Sequence, residues 1–291
     1  MNTERQTASI AITATTATTA TAQTKIGFIG GGNMASALIG GLAGKLTTAA
    51  NIHVVEINPE ARQRLQHLGV QTAERIDAAI AGCDVILLAV KPQQMREVAA
   101  QLKPHLQSQL LLSIAAGIRA ADLSRWLGGH GAIVRSMPNT PALIGRGITG
   151  MVALPGVSPA QKADADAIMR AVGATVWLSD EALIDSVTAV SGSGPAYVFY
   201  FIEAMQKAGV QLGLSTAQAT ELSIATFVGA AHLAAEADEP VALLRERVTS
   251  KGGTTHAALA SMQDSGVAEA IVRAIEAAAV RGKALGEEFG S

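Results

Sequence analysis

The chain has 291 residues, a formal net charge of −2 and 3% aromatic residues, enough length for one large or two ordinary domains. Near-neutral charge with so few aromatics leaves no electrostatic footprint for nucleic acid, and no apolar run is long enough to cross a bilayer. The single cysteine, Cys83, excludes an internal disulfide framework and fits a cytoplasmic setting, while no Cys/His or carboxylate spacing suggests a metal.

Residues 1–24 read as a disordered N-terminal extension. Ala11–Ala22 is an Ala/Thr tract of low complexity that cannot bury enough apolar surface to order itself. A signal peptide would need a core of Leu or Phe and more than Arg5 in front of it. Order is expected from Lys25, where Ile26, Phe28 and Ile29 form a short buried strand. Gly30-x-Gly32-x-x-Ala35 follows and matches the dinucleotide fingerprint, with a helix expected through Leu38, Ile39 and Leu42. Gly30 permits the tight turn, Gly32 lets backbone N–H groups approach a pyrophosphate, and Ala35 allows close helix–strand packing. The start of that helix offers unpaired N–H groups and a positive dipole end to the phosphates.

Further strands are expected at 52–56, 85–90, 110–114, 132–135, 148–154 and 174–178. Near-continuous apolar runs alternating with helical stretches indicate a parallel sheet covered on both faces, the doubly wound α/β class. After Asp180 the strand signals stop. Helical patterns occupy roughly 181–189, 195–211, 216–236, 241–249, 254–263 and 267–288. The chain thus reads as a Rossmann-type dinucleotide-binding domain over 25–180 and an all-helical domain over 181–291. A helical domain this rich in alanine either closes on itself or completes its core with another subunit.

Ligands of open α/β sheets bind beyond the carboxyl ends of the strands, so the residues there are the candidates. Glu56 lies 24 residues beyond Gly32, where an acid accepts hydrogen bonds from an adenosine ribose and favours NAD over NADP; the alternative is a solvated carboxylate. In Ala89-Val90-Lys91-Pro92 the proline stops the strand, and Lys91 lies over a cofactor or in solvent. Ala115, Ala116 and Gly117 are small enough for a flat ring to approach the backbone. In Met137-Pro138-Asn139-Thr140-Pro141, preceded by Arg135 and Ser136, two prolines hold an extended turn from which Asn139 and Thr140 offer neutral polar contacts at a strand end; the alternative is a structural turn alone. Ser191-Gly192-Ser193-Gly194-Pro195-Ala196-Tyr197 reads either as the loop starting a helix or as an anion-binding loop. Thr249-Ser250-Lys251-Gly252-Gly253-Thr254-Thr255-His256 reads as a carboxylate nest or as a cap. Of the histidines only His256 adjoins such a loop. No G-x-S-x-G elbow is present, and no general base for alcohol oxidation is evident. A protonated imine needs chiefly a hydride and orientation.

Together these segments resemble the pyrroline-5-carboxylate reductases. The resemblance covers essentially residues 25–288 and rests on five motifs in order: Phe28–Ala35, Ala89–Pro92, Met137–Pro141, Ser191–Tyr197 and Ser250–Thr255. It implies a Rossmann domain, an interleaved helical dimerisation domain and a homodimer that builds larger assemblies. It also implies reduction of 1-pyrroline-5-carboxylate to L-proline by NADPH or NADH, the last step of proline biosynthesis. By resemblance Gly30, Gly31, Gly32, Asn33 and Met34 hold the pyrophosphate, and Ala89–Pro92 with Ala115–Gly117 line the nicotinamide. Ser250, Gly252, Gly253, Thr254 and Thr255 would hold the substrate, with Thr255 bonded to the ring nitrogen. The family loop usually reads Ser-Pro-Gly-Gly-Thr-Thr; here Lys251 replaces the proline.

Two rivals follow from the same plan. A 3-hydroxyacid dehydrogenase would carry a lysine soon after the glycine-rich loop that opens the helical half. The stretch Pro195–Phe201 has none, and Lys207 lies well down the helix. A non-catalytic nucleotide sensor would have no use for the Ser250–Thr255 loop.

Overall fold

The computed structural model describes residues 24–290. The extension assigned to 1–24 therefore lies outside the described residues except for Thr24, whose carbonyl accepts a hydrogen bond from the Thr47 hydroxyl (2.8 Å). The described residues divide into two compact units, one formed by 24–195 with 275–290 and the other by 196–274.

The larger unit is built on eight strands: β1 (Ile26–Ile29), β2 (Ile52–Val55), β3 (Gln71–Ala73), β4 (Val85–Leu88), β5 (Leu110–Ser113), β6 (Ile133–Met137), β7 (Gly147–Ala153) and β8 (Gly173–Trp177). Their order is β3-β2-β1-β4-β5-β6-β7-β8. Every residue of β1, β2, β4 and β5 is buried, which is why these strands read as unbroken apolar runs. Alternate residues point to opposite faces and feed two cores. Ile26 and Phe28 pack with Leu38, Ile39 and Leu42 of α1 (Asn33–Leu42). Ile29, Ile86 and Leu88 pack with Met95, Ala99 and Leu102 on the other face. Each of these Ile, Leu, Phe and Met side chains contributes about 1.5–3 kcal/mol on full burial.

Helix α2 (Pro59–Gln66) starts after Asn58, whose side chain accepts from Ala61 N. It is followed by α3 (Ala78–Ala81), α4 (Met95–Leu102), α5 (Ala120–Trp126) and α6 (Pro159–Arg170). Strand β3 was not expected from the sequence. It is three residues long, polar and at the sheet edge, so it carries no apolar signal. The sheet is parallel except for β6 with β7, which pair antiparallel. Only nine residues, 138–146, join them, too few for a crossover.

The composition change at 180 precedes the structural division at 195, because α7 (Leu183–Val187) packs onto the sheet. Its Ile184 is buried, and a Cβ on Gly150 of β7 would lie 2.7 Å from the Val187 side chain. A π-helical turn, Thr188–Gly192, continues into α8 (Gly194–Gln211). At the other end of the chain, residues 275–290 of α12 (Val267–Gly290) rejoin this unit. Gly282, Gly286 and Gly290 are buried there, against Asp185, Arg119 and Asp122.

The smaller unit holds the rest of α8 with α9 (Thr216–Glu236), α10 (Val241–Arg247), α11 (Thr254–Asp264) and the first turns of α12. A capping box between Ser215 and Gln218 starts α9, and the rings of Phe201 and Phe227 lie 6.4 Å apart. Within this unit Phe199, Tyr200, Leu222, Val228, Leu233 and Val272 remain exposed. That much apolar surface marks an interaction face.

Candidate active site

The parallel strands end level with one another. Ile29 pairs in register with Val55 and Leu88, and Leu88 with Ser113. The residues that follow, Gly30, Glu56, Ala89 and Ile114, therefore come out along one edge of the sheet. Sequence order scatters these candidates over some ninety residues; the topology brings them side by side.

Each glycine of the first loop has a different task. Gly30 has φ +98°, and a Cβ there would lie 2.7 Å from the Ala89 carbonyl oxygen, so only glycine fits. A Cβ on Gly31 would reach the Leu65 side chain at 2.6 Å. Gly32 meets nothing within 4 Å, and its exposed backbone leads directly into α1. That helix has no side-chain cap and no acid in its first turn. Its N–H groups at Asn33 and Met34 are left for an outside acceptor, which suits a pyrophosphate.

Glu56 is more than a solvated strand-end carboxylate. Its Oε2 accepts from Gly31 N (2.7 Å) and its Oε1 from Asn58 N (2.8 Å). The carboxylate is thereby fixed beside the fingerprint, with lone pairs to spare for ribose hydroxyls. Arg62 stands behind it, donating through Nη1 to the carbonyls of Glu56 (2.7 Å) and Ile57 (2.9 Å). On the next strand, Ala89 N donates to Ile29 O, while Lys91 is exposed and precedes a short 3-10 turn at Pro92–Gln94. Beyond β5, Ala115 and Gly117 are buried and Ala116 is half-buried. Gly117 has φ +73°, and its Cα faces Leu285 and Phe289 of α12.

Two polar segments carry internal hydrogen bonds. Asn139 accepts from Ile148 N through Oδ1 (2.9 Å) and donates through Nδ2 to the Ser191 carbonyl (3.2 Å). It ties the turn after β6 to the π-helical turn. The segment Ser191–Tyr197 is not an open loop either. Ser193 N donates to Thr188 O (2.8 Å) and the Ser191 hydroxyl to Val187 O (3.0 Å), so these two groups serve the helix start.

The loop Ser250–Thr255 belongs to the helical unit. Gly252 adopts φ +73° and Gly253 N donates to Ser250 O (3.0 Å). Helix α11 then begins at Thr254, and Gly253 provides no side-chain cap. Thr255 is the second residue inside the helix, half-buried, so it does not act as the cap. The first-turn amides are left for an external anion. His256 and Lys251 are exposed.

Sequence reasoning passed over Arg135 and Glu181 as individual residues. Arg135, on β6, is 4% exposed, and its Nη1 pairs with Glu181 Oε1 at 2.9 Å. A charged residue inside Ile133-Val134-Arg135-Ser136 demands a buried partner, and that was the available signal. No three His, Cys, Asp or Glu side chains converge as metal ligands among the described residues.

Known proteins resemble this chain in sequence and fold. A family model for pyrroline-5-carboxylate reductase dimerisation matches residues 181–285, and one for NADP oxidoreductase, coenzyme F420-dependent, matches 25–117. The pyrroline-5-carboxylate reductase of Pseudomonas aeruginosa is 46% identical over 268 residues, covering 91% of this chain and 98% of its own. That of Haemophilus influenzae is 42% identical over 262 residues, covering 89% and 97%. Among solved structures, a pyrroline-5-carboxylate reductase from Coxiella burnetii superposes with a TM-score of 0.85 at 39% identity, covering 90% of this chain and 98% of that one. The Plasmodium falciparum pyrroline carboxylate reductase with NADP bound gives 0.82 at 32% identity, covering 91% and 99%. A 3-hydroxyisobutyrate dehydrogenase from Mycobacterium tuberculosis, at 16% identity and a TM-score of 0.50, shares the fold alone.

Proposed function

The chain belongs to the pyrroline-5-carboxylate reductase family, and from that premise we propose how its own residues serve the reaction. It is an NAD(P)H-dependent oxidoreductase that reduces 1-pyrroline-5-carboxylate to L-proline, the final step of proline biosynthesis. When bound, the reduced nicotinamide supplies a hydride to the imine carbon. The open backbone at Gly32 and the uncapped start of α1 fit a dinucleotide pyrophosphate, with Gly30–Met34 as the cradle. Glu56 takes the adenosine ribose, and Ala89–Pro92 with Ala115–Gly117 flank the nicotinamide.

Ser250 and Gly252–Thr255 hold the substrate. The amides at the start of α11 receive its carboxylate, and Lys251 adds attraction from the same loop. The Thr255 hydroxyl accepts from the protonated ring nitrogen and so turns the imine carbon toward the hydride. Because that nitrogen arrives protonated, hydride addition completes the amine and no further base is required. The observation that carries this reading is the alignment of Gly30, Glu56, Ala89 and Ile114 at one sheet edge beside an uncapped helix. Loss of nicotinamide absorbance on adding the imine to purified protein, with proline recovered and no metal added, is the expected result. No loss with either cofactor would refute the assignment.

The dimerisation match makes the chain a homo-oligomer. A homodimer, the base of larger assemblies, accounts for the apolar side chains left exposed on the helical unit. We place the enzyme in the cytoplasm, where a buried, unpaired Cys83 stays reduced.

NADH should serve at least as well as NADPH. The Glu56 carboxylate is held at the strand end by two backbone amides. Its repulsion of a 2′-phosphate is on the order of 1–4 kcal/mol at an effective dielectric near 20, before salt screening. The ratio of kcat/KM values for the two cofactors measures this, and Glu56→Gln should shift it toward NADPH. A strong NADPH preference in the unmodified enzyme would assign the dominant charge to Arg62 instead.

A further inference from the structure

We infer that Glu181, held in place by Arg135, is a positioning residue for the segment Ala115–Gly117. The inference rests on the reading above that this segment flanks the nicotinamide. Helix α5 begins two residues after the segment, and Arg119 before it offers no side-chain cap. Its first amide, Ala120 N, instead donates to Glu181 Oε1 at 2.6 Å. The cap thus comes from a carboxylate 61 residues away in sequence. The same oxygen accepts from Arg135 Nη1 at 2.9 Å.

Arg135 stands in register beside Ser113, the last residue of β5, from which the segment departs. At that near end, the Ser136 hydroxyl donates to Ser113 O (2.9 Å) and Ala115 N donates to the Ser113 hydroxyl (3.4 Å). Strand β6 therefore holds the chain on both sides of the segment: Ser136 at Ser113 before it, and Arg135 through Glu181 at Ala120 after it. Packing does not do this on the Glu181 side. A cavity of about 560 Å³ opens there, lined by Arg119, Arg135, Glu181, Asp185 and Lys283 among others. Arg119, Lys283 and Asp185 also face this cavity, but the Glu181 carboxylate bonds to Arg135 Nη1 and Ala120 N. Gly117 itself leaves no room for a side chain, since a Cβ there would lie 3.1 Å from Leu285 and 3.2 Å from Phe289. Without Glu181 the first amide of α5 loses its acceptor, and the chain leaving the segment is no longer tied to β6.

The test uses the full chain with Glu181→Ala, Glu181→Gln and Ala116→Leu. In the Glu181→Ala protein without cofactor, amide hydrogen exchange over 115–120 should rise about tenfold, the equivalent of one lost hydrogen bond, while exchange in β1 stays unchanged. Turnover should fall about ten- to hundredfold, as expected for a misplacement on the order of 1 Å. The deuterium isotope effect on kcat with 4-deuterated NADH should increase, because hydride transfer becomes slower. Glu181→Gln keeps an acceptor for Ala120 N and should restore most of the exchange protection and turnover.

A folded Glu181→Ala protein with unchanged exchange and isotope effect overturns the inference. So does a uniform rise in exchange with turnover per folded molecule intact, which would make Glu181 merely structural. If Glu181→Ala does not fold, Arg135→Lys, which keeps the charge but loses the planar fork, decides by the same readouts. Ala116→Leu separates the two levels of argument. If it leaves nicotinamide binding and use intact, the placement of 115–117 itself is wrong; if it impairs them while Glu181→Ala does not, only the positioning role fails.

Discussion

Thr255→Ala is expected to lower kcat/KM for the imine about ten- to hundredfold while leaving NAD(P)H affinity nearly unchanged. The hydroxyl sits one residue inside an uncapped helix, so its removal deprives α11 of no cap. What is lost is a hydrogen bond to a charged nitrogen, worth about 1.5–3 kcal/mol in the transition state. Cofactor affinity should hold because Thr255 is no part of the Gly30–Met34 fingerprint proposed to hold the dinucleotide. Steady-state kinetics with a parallel binding titration separates these effects. Imine reduction at the wild-type rate would exclude the assigned role. Equal loss of both parameters would point to collapse of the whole loop.

The two fingerprint glycines should respond in opposite ways. Gly30→Ala forces an L side chain into φ +98° and against the Ala89 carbonyl. Backbone strain of about 1–3 kcal/mol adds to overpacking of similar size, so the melting temperature should drop on the order of 5–15 °C. A Cβ on Gly32 meets no protein atom within 4 Å and the position has no left-handed φ, so Gly32→Val finds open space at its branch point. Its melting temperature should stay put, yet NADH affinity should fall about tenfold or more as the methyls block the phosphate from the helix amides. Calorimetry and a binding titration on both variants provide the check. Tight cofactor binding by Gly32→Val would move the pyrophosphate elsewhere.

Where the chain wrote its plan locally, the sequence was readable. The buried strands β1, β2, β4 and β5 carry apolar residues on both faces, and the helices from α8 onward begin at Pro, Ser or Gly signals; these were found within a few residues. Features set by distant partners were not. Strand β3 is polar because only one side of it pairs. The antiparallel turn of β7 depends on connection length rather than on residue type. Ser191–Gly192 looked like a loop because glycine and serine favour turns, whereas the hydroxyl and amide bonds to Val187 and Thr188 wind it into a π-helical turn. At the site, the fingerprint, Glu56 and the Thr254–Thr255 helix start were legible from local motifs. Glu181 was not, because its two partners, Arg135 and Ala120, come from separate parts of the sheet domain and nothing near position 181 announces them.

The most direct test of the central claim follows the hydride itself. The enzyme would be supplied with 1-pyrroline-5-carboxylate and nicotinamide cofactor deuterated at C4 on one face, then on the other, and the proline isolated for mass spectrometry and proton NMR. One deuterium on the former imine carbon, delivered from one face of the nicotinamide and absent with the other, is the predicted result. Proline without deuterium from either cofactor, or label spread to other carbons, would contradict direct hydride transfer to the imine.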